Sequence, residues 1–288
     1  MGWRAGPRAA WLLAALLLCG CQTARPSCAS GAAGIVWQPS LQQVDPKGRW
    51  EQLGARQLLV QWLEVDDVRF FAAQAPGAPD GAAMPATNWR RVFGEPWARQ
   101  VILGLAGRNS EEQARRQVVE LGQRSRAVAQ AWRHAGLPDP AGWYFPVEVD
   151  PTWNGGEALA AALAGLPRPL WISAYDSANR GPEALADWLQ RWVPADVGVF
   201  FQDGVGVHAR EPVVAVQYLD VLSRRLGKQR VRLIAEAFRP GVGGGFRPAT
   251  AQELGVQLAS YRGWPVYLFD GPHYVSEALI RELCAPRP

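Results

Sequence analysis

The sequence predicts a single (β/α)8 TIM barrel, and three observations support that prediction. Eight runs rich in apolar, β-branched and aromatic residues recur along the 288-residue chain. Helix-like stretches separate most of these runs, as the alternating strands and helices of a barrel require. Most runs end in a polar or acidic residue, and barrels of this class carry their chemistry at the carboxyl ends of the strands.

The predicted strands follow one another in chain order, and several helices between them begin at recognisable residues. Ser110, followed by two glutamates, predicts a capped helix start, and Ser276 predicts another. Pro182 suits the first turn of a helix. Residues 72–87 are rich in Ala, Gly and Pro and predict a long loop of the kind that builds substrate clefts. The strand runs are 34–40, 57–66, 100–107, 142–150, 169–176, 197–204, 231–238 and 265–270.

Residues 1–20 predict the signal peptide of a bacterial lipoprotein. Arg4 and Arg8 precede a short apolar stretch that is too short to span a bilayer comfortably. The sequence LCGC at residues 18–21 resembles a lipobox, the motif at which such signals are cleaved. Cleavage there would leave Cys21 as the lipid-modified N-terminus. An ordinary secretory signal is the alternative interpretation.

This assignment divides the chain and predicts its location. Residues 21–33 form a tether and residues 34–288 the barrel, so about 268 residues remain after cleavage. That length suits one barrel of roughly 250 residues. Gln22, rather than Asp, follows the lipidated cysteine and favours the outer membrane. We expect a lipid-anchored protein of the bacterial cell envelope that faces the periplasm and contacts the membrane through its N-terminal lipid anchor only.

Two cysteines remain for the barrel, Cys28 just before the first strand and Cys284 after the last helix. A closed barrel brings its two ends together, and disulfides persist in an oxidising periplasm. We predict a Cys28–Cys284 disulfide, with two free thiols as the alternative.

Charge and motif content limit the classes of ligand. The formal net charge is +4, and the 30 basic residues form no run of the kind that binds nucleic acid, so no nucleic-acid partner is expected. The sequence shows no His, Cys and carboxylate cluster with metal-ligand spacing and no cofactor motif. We expect neither a metal ion nor a cofactor.

Two glutamates stand near the ends of predicted strands that lie almost opposite each other across a barrel. Glu148 is in the fourth strand and Glu236 in the seventh. A charged side chain in an apolar strand is costly to bury unless it is paired or solvated, so both are expected at the barrel mouth. A carboxylate from each of these places is typical of a large group of retaining glycoside hydrolases. By that pattern Glu148 is the acid/base and Glu236 the nucleophile.

Other polar and aromatic residues at the strand ends are candidates for binding sugar. Trp37 and Trp62 are candidate stacking platforms, with packing in the core as the alternative for tryptophan. Gln202 and Asp203 precede two glycines that permit close approach of a ligand, although Asp203 could instead cap a turn. Glu64 could bind sugar or be solvated. The other candidates are Gln38, Asp150, Tyr175, Phe238 and Asp270.

Four segments together resemble a bacterial family known as domain of unknown function 4434. They are 144–150 (YFPVEVD), 172–175 (ISAY), 202–206 (QDGVG) and 236–238 (EAF), and they occur in that order. The resemblance covers most of the mature chain. It implies a glycosidase-like TIM barrel.

Two functions from different classes follow from these patterns. The first is a glycoside hydrolase that acts on an envelope or exported polysaccharide. The second is a barrel that binds carbohydrate without cutting it, as an accessory protein in polysaccharide export or envelope assembly. Val147 stands where the retaining hydrolases have Asn before the acid/base, which favours the second. Fold alone does not decide between them.

Overall fold

The structure is a computed structural model, and it describes Gly2, Cys28 and residues 31–71 and 87–285. The predicted signal peptide, the lipidated Cys21 and nearly all of the predicted loop at 72–87 lie outside the described residues. No helix in the described part of the chain is long and apolar enough to cross a membrane.

Eight parallel strands close into a barrel, which confirms the predicted fold class. Each strand pairs with the next in sequence, and β8 pairs with β1 to complete the ring. Every predicted run contains one of these strands. The strands are β1 (Gly34–Trp37), β2 (Gln57–Val60), β3 (Gln100–Gly104), β4 (Gly142–Val149), β5 (Leu170–Ala174), β6 (Val197–Gln202), β7 (Val231–Glu236) and β8 (Val266–Phe269).

Helices surround the barrel, and several begin where the sequence predicts. Ser110 and Ser276 accept hydrogen bonds from the backbone three residues on, and Pro182 lies in the first turn of its helix. The helices are α1 (Trp89–Gly94), α2 (Glu111–Arg116), α3 (Val118–His134), α4 (Gly156–Ala164), α5 (Pro182–Trp192), α6 (Pro212–Leu226), α7 (Ala251–Ser260), α8 (Gly271–Tyr274) and α9 (Glu277–Cys284), with 3-10 turns at Trp50–Leu53 and Lys228–Arg230.

The core has two layers, because side chains alternate between the two faces of each strand. Most buried apolar residues lie between the strands and the helices. A smaller cluster fills the barrel interior, with a side chain from every strand. The interior residues are Val36, Leu59, Ile102, Tyr144, Trp171, Phe200, Ile234 and Tyr267.

Strand β4 contains an irregularity that matters for the site. Phe145 is paired with Ile172 of β5, whereas Glu148 is paired with the next residue, Ser173. Two extra residues therefore lie in β4 between these pairs. An insertion of two preserves the alternation of side chains, so Glu148 stays on the same face as Tyr144.

Short strands extend the predicted runs beyond the barrel. Glu64–Val65 pairs with Val68–Arg69 and with Ala106–Gly107 in a small sheet. Phe238–Pro240 pairs with Phe246–Pro248 in a hairpin that follows β7. The glycine-rich residues 241–245 form its turn.

A disulfide joins Cys28 to Cys284, as the sequence predicts. The two Cα atoms are 4.7 Å apart, and 256 residues separate the cysteines in sequence. The bridge ties the segment before β1 to the end of α9.

Candidate active site

A polar layer lies directly above the apolar interior of the barrel. Glu236 is two residues beyond Ile234 in β7, and Gln202 is two residues beyond Phe200 in β6, so both continue the inward face of their strands. Glu148 reaches the same face of β4 through the two-residue insertion. The structure therefore brings the two predicted catalytic carboxyls and Gln202 to one end of the barrel.

Glu148 is held by three neighbours. The Gln202 side-chain amide donates a hydrogen bond to its Oε2. An Arg115 guanidinium nitrogen lies 3.8 Å from its Oε1, and the Arg115 Nε donates to its backbone carbonyl at 3.0 Å. From the other side, the Glu148 backbone N–H donates to Glu111 Oε1 at 2.7 Å. This geometry is consistent with the prediction that Gln202 belongs to the site. Its side-chain amide contacts Glu148, the candidate acid/base.

The environment of Glu148 favours its protonated form. Burial raises the pKa of Glu148 to about 7, and the like charge of Glu111 adds to that shift. Arg115 and the Gln202 amide act in the opposite direction. The pKa of Glu111 is also raised to about 7, again chiefly by burial. Glu111, Arg115 and Glu148 thus lie together on this side of the mouth. A carboxyl that stays protonated near neutral pH suits a general acid.

Glu236 is buried and receives hydrogen bonds from the loop that follows β6. The Val207 backbone N–H donates to its Oε2 at 3.2 Å. A Cβ added at Gly206 would come within 2.6 Å of the Glu236 Cβ, so only glycine lets this loop approach so closely. Burial and the nearby Asp203 raise the pKa of Glu236 to about 8, and the charge of Glu148 contributes in the same direction.

Asp203 binds the backbone of Glu236 and is not accessible to a ligand. It is fully buried, and its Oδ1 accepts the backbone N–H groups of Glu236 and Val205, each at 3.2 Å. Its Oδ2 accepts hydrogen bonds from Gln257 at 2.5 Å and from the Tyr261 hydroxyl at 2.9 Å. The prediction of sugar contact is corrected, because all of its hydrogen-bonding capacity faces the protein.

Tyr175 lies near the carboxyl pair without a hydrogen bond to Glu236 among the described contacts. Burial and the charge of Glu236 raise its pKa, and Glu148 adds to the effect. Its ring packs against Gly204 and under the Arg210 guanidinium, 5.2 Å from the ring centroid. It remains half-buried and forms part of the wall of the site.

The prediction that Trp37 and Trp62 are stacking platforms for sugar is wrong. Trp37 is completely buried, packs against Trp89 and donates to the Gln43 carbonyl. Trp62 is only 6% exposed and donates to the Pro39 carbonyl at 2.9 Å. Both rings fill the core around the first strands, so neither offers a face to a sugar.

Two predicted polar contacts are also corrected to structural roles. Glu64 is buried and forms ion pairs with Arg69 and Arg124 in the small sheet beside the barrel. Asp150 is fully buried and accepts hydrogen bonds from the backbone and hydroxyl groups of Thr152 and Ser177, which lower its pKa against the effect of burial. Each carboxylate is satisfied by protein groups.

The remaining predicted residues lie on the β8 side of the mouth. Gln38 and Asp270 line one pocket. Phe238 is nearly buried, packs against Gly206, and contacts Phe246 with the ring planes tilted and the centroids 4.6 Å apart. Phe246 is 52% exposed on the hairpin. The hairpin that follows β7 therefore exposes aromatic surface on a residue that the sequence did not indicate.

The comparisons with known proteins address the fold. No family model matches the chain, and no curated protein matches it. A Bacteroides thetaiotaomicron protein assigned as an α-L-fucosidase has a similar structure: the TM-score is 0.60 at 14% identity, over 97% of this chain and 99% of that one.

Two weaker likenesses belong to other glycan-active proteins. A chitinase from Chromobacterium violaceum gives a TM-score of 0.44 at 13% identity, over 89% of this chain and all of that one. The PgaB (BpsB) glycoside hydrolase domain from Bordetella bronchiseptica gives 0.39 at 12% identity, over 90% of each chain. Only the likeness to the Bacteroides protein, with its TM-score of 0.60, supports a shared glycoside hydrolase-like barrel fold, and at 14% identity nothing beyond the fold follows.

Sequence reasoning missed Glu111, Arg115 and Phe246. The sequence indicates Glu111 only as part of a helix start and does not single out Arg115. A usable signal was present for Glu111, because it follows the N-cap Ser110 directly after a barrel strand, at the end of the barrel where the site lies. Phe246 gave no such signal, since it follows a glycine-rich turn whose folding back on β7 depends on the hairpin pairing.

Proposed function

We propose that this protein is a retaining glycoside hydrolase of the bacterial cell envelope that acts on an envelope or exported polysaccharide. Glu148 serves as the acid/base and Glu236 as the nucleophile. The single observation that carries the proposal is the position of both carboxyls in the polar layer of one barrel mouth, where the charge of Glu148 helps to raise the pKa of Glu236. A pair of carboxyl groups that flank one bond is the machinery of glycoside hydrolysis.

The surroundings of the pair support these roles. Glu148 must hold a proton at the start of the reaction, and burial together with Glu111 favours that state. Glu236 must be ionised to attack, and the backbone N–H groups of Val207 and Gly206 stabilise its charge against burial and Asp203. Because the pKa of the acid is about 7 and that of the nucleophile about 8, the form with Glu148 protonated and Glu236 ionised is a minority form that peaks between those pH values, so cleavage by this pair is fastest there rather than in acid.

The cellular part of the proposal rests on the N-terminal sequence and the disulfide. The lipobox-like residues 18–21 would anchor the protein by lipid on Cys21, facing the periplasm and on the outer membrane. The Cys28–Cys284 bridge supports export, because disulfides persist in oxidising compartments. We further propose membership of the domain of unknown function 4434 family, on the four segments that resemble it.

The second candidate function is carbohydrate binding without cleavage, in polysaccharide export or envelope assembly. One observation favours it: the pKa of Glu236, at about 8, lies on the wrong side of neutrality for a nucleophile. Such a protein would use the same mouth but would not need both carboxyls.

A cleavage screen separates the two functions. Wild type, Glu148→Gln and Glu236→Gln are incubated with bacterial exopolysaccharides, cell-wall glycans and aryl glycosides, and new reducing ends are measured. Glu112→Gln is the matched control, because this neighbour of Glu111 is exposed and, among the described residues, pairs with Arg116 on the same helix. The hydrolase proposal expects cleavage by wild type and the control, and losses of at least about a thousandfold in both site variants. Cleavage that survives either site substitution contradicts the assignment.

A further inference from the structure

A pocket of about 340 Å³ lies on the β8 side of the barrel mouth, and neither Glu148 nor Glu236 lines it. One wall comes from the segment after β1, and the other comes from the end of β8 and from α8. The lining residues are Gln38, Ser40, Gln42, Phe269, Asp270, His273 and Tyr274. Its volume is in the lower part of the range found for small-molecule sites.

The pocket adjoins the surroundings of Glu236. Phe269 is the β8 partner of Glu236 in the barrel pairing. Phe238 contacts both pocket aromatics, with centroid distances of 6.2 Å to Phe269 and 5.2 Å to Tyr274. Phe238 also packs against the same Gly206 that packs on Glu236. The pocket and Glu236 therefore share two aromatic neighbours, Phe238 and Phe269.

One carboxylate oxygen of Asp270 lacks a hydrogen bond among the described residues. Asp270 is 2% exposed, its Oδ2 lies 2.7 Å from His273 Nδ1, and its Oδ1 has no hydrogen bond of good geometry. The Gln38 backbone N–H acts on the pKa of Asp270 but leaves that oxygen unsatisfied. A buried acceptor without a donor costs free energy, which a ligand hydroxyl would recover if the Asp270 side chain turned towards the pocket.

The charges of the pocket indicate the class of ligand. Asp270 raises the pKa of His273, and the charges of this hydrogen-bonded pair offset each other when His273 is protonated. No Lys or Arg is among the lining residues. Gln38, Gln42 and Ser40 add neutral donors and acceptors. Phe269 and Tyr274, both half-buried, supply flat apolar surface. Neutral hydroxyls on one side and a C–H face on the other are what a pyranose ring presents.

We propose that this pocket is a subsite for one neutral pyranose unit next to Glu236, with Asp270 and the His273 that it positions as the hydroxyl-binding pair. The inference rests on the proposed function only in taking a saccharide as the ligand. It would set specificity for neutral sugars over uronic acids and amino sugars at this position of the glycan.

Binding is measured in the Glu236→Gln background, so that no turnover interferes. The probes are methyl glycosides of neutral hexoses, hexuronic acids and 2-amino-2-deoxyhexoses, followed by saturation-transfer NMR and calorimetry. We expect the neutral glycosides to bind most tightly. Asp270→Asn and His273→Gln should each weaken that binding by roughly tenfold. His134→Gln, an exposed histidine of α3, is the matched control and should change nothing.

The outcomes separate the pocket from the hydrolase. Tighter binding of charged glycosides, or neutral binding that is unchanged in folded pocket variants, overturns the proposal. Should Asp270→Asn unfold, His273→Gln and Tyr274→Leu carry the test, because neither residue is buried. If the pocket variants lose binding of neutral glycosides and the wild-type protein cleaves none of the substrates, the pocket proposal is supported and the hydrolase proposal is rejected. If cleavage depends on Glu148 and Glu236 but the pocket variants have an unchanged KM, the pocket proposal is rejected and the hydrolase proposal stands.

Discussion

Glu111 Oε1 accepts a hydrogen bond from the backbone N–H of Glu148 at 2.7 Å, which places a second carboxyl beside the proposed acid/base. Both groups have a pKa of about 7, and Arg115 lies within 4 Å of each. Glu111 therefore acts on the proton of Glu148 through its charge and on the position of β4 through its hydrogen bond.

Replacing Glu111 by Gln should lower the pKa of Glu148. The substitution removes a like charge but keeps an oxygen for the backbone N–H, so the shift is expected to be on the order of one unit. NMR titration of 13C-labelled glutamate carboxyls measures it. Glu112→Gln, on the same helix and exposed, should leave the Glu148 pKa unchanged. An unaltered pKa in Glu111→Gln would show that the charge of Glu111 does not influence the protonation of Glu148.

Glu236 should make the folded protein less stable as pH rises. Below about pH 4.5 its carboxyl is protonated in both the folded and unfolded chains. Between about 4.5 and about 8 the unfolded chain releases that proton while the folded chain keeps it, so the free energy of unfolding falls. Glu236→Gln removes this penalty, and its Tm should exceed that of wild type by more at pH 8.5 than at pH 5.

Thermal denaturation at the two pH values checks this sign. Glu112→Gln serves again as the control, because an exposed carboxyl should give no such pH-dependent difference. A Glu236→Gln variant that gains most at pH 5 would mean that Glu236 is ionised in the folded protein.

The Cys28–Cys284 bridge should contribute several kcal/mol to stability. It closes a loop with a sequence separation of 256, for which the chain-entropy model gives about 5.5 kcal/mol. Denaturant unfolding with and without reductant measures the contribution, and the Cys28→Ser, Cys284→Ser double variant should be insensitive to reductant. A wild-type protein whose unfolding does not respond to reductant would contradict the bridge.

Trp62 and Phe246 should respond to substitution in opposite ways. Trp62→Ala empties a buried position and leaves the Pro39 carbonyl unpaired, so it should cost about 3–5 kcal/mol of stability. Phe246→Ala removes a half-exposed ring and should cost much less, but should weaken oligosaccharide binding to Glu236→Gln severalfold. Unfolding and binding curves for both variants decide which ring meets the ligand.

The barrel could be predicted from the sequence because the patterns that indicate its strands and helices are local. Each strand is a short apolar run, and caps such as Ser110 and Ser276 act on the backbone three residues away. Glu148 and Glu236 stood out for the same reason, as charges within apolar strands. The two-residue insertion in β4 left no trace in the pattern, because an even insertion does not disturb the alternation of side chains.

The errors arose where distant contacts decide the role of a side chain. Glu64 finds its partner Arg124 on a helix 60 residues away, and Asp203 finds Tyr261 58 residues away. Near a strand end, a tryptophan of the core and a tryptophan of a sugar site have the same local sequence. The local sequence therefore does not distinguish Trp37 and Trp62 from tryptophans that stack on sugar; only their packing does.

The central claim is that Glu148 and Glu236 divide the chemistry of one retaining site, and azide rescue tests it most directly. With an aryl glycoside that wild type cleaves, Glu148→Ala plus azide should give a glycosyl azide of retained anomeric configuration, because azide attacks the glycosyl-enzyme intermediate. Glu236→Ala plus azide should give the inverted azide, because azide replaces the missing nucleophile. The same configuration from both variants, or no rescue in either, would contradict the assignment.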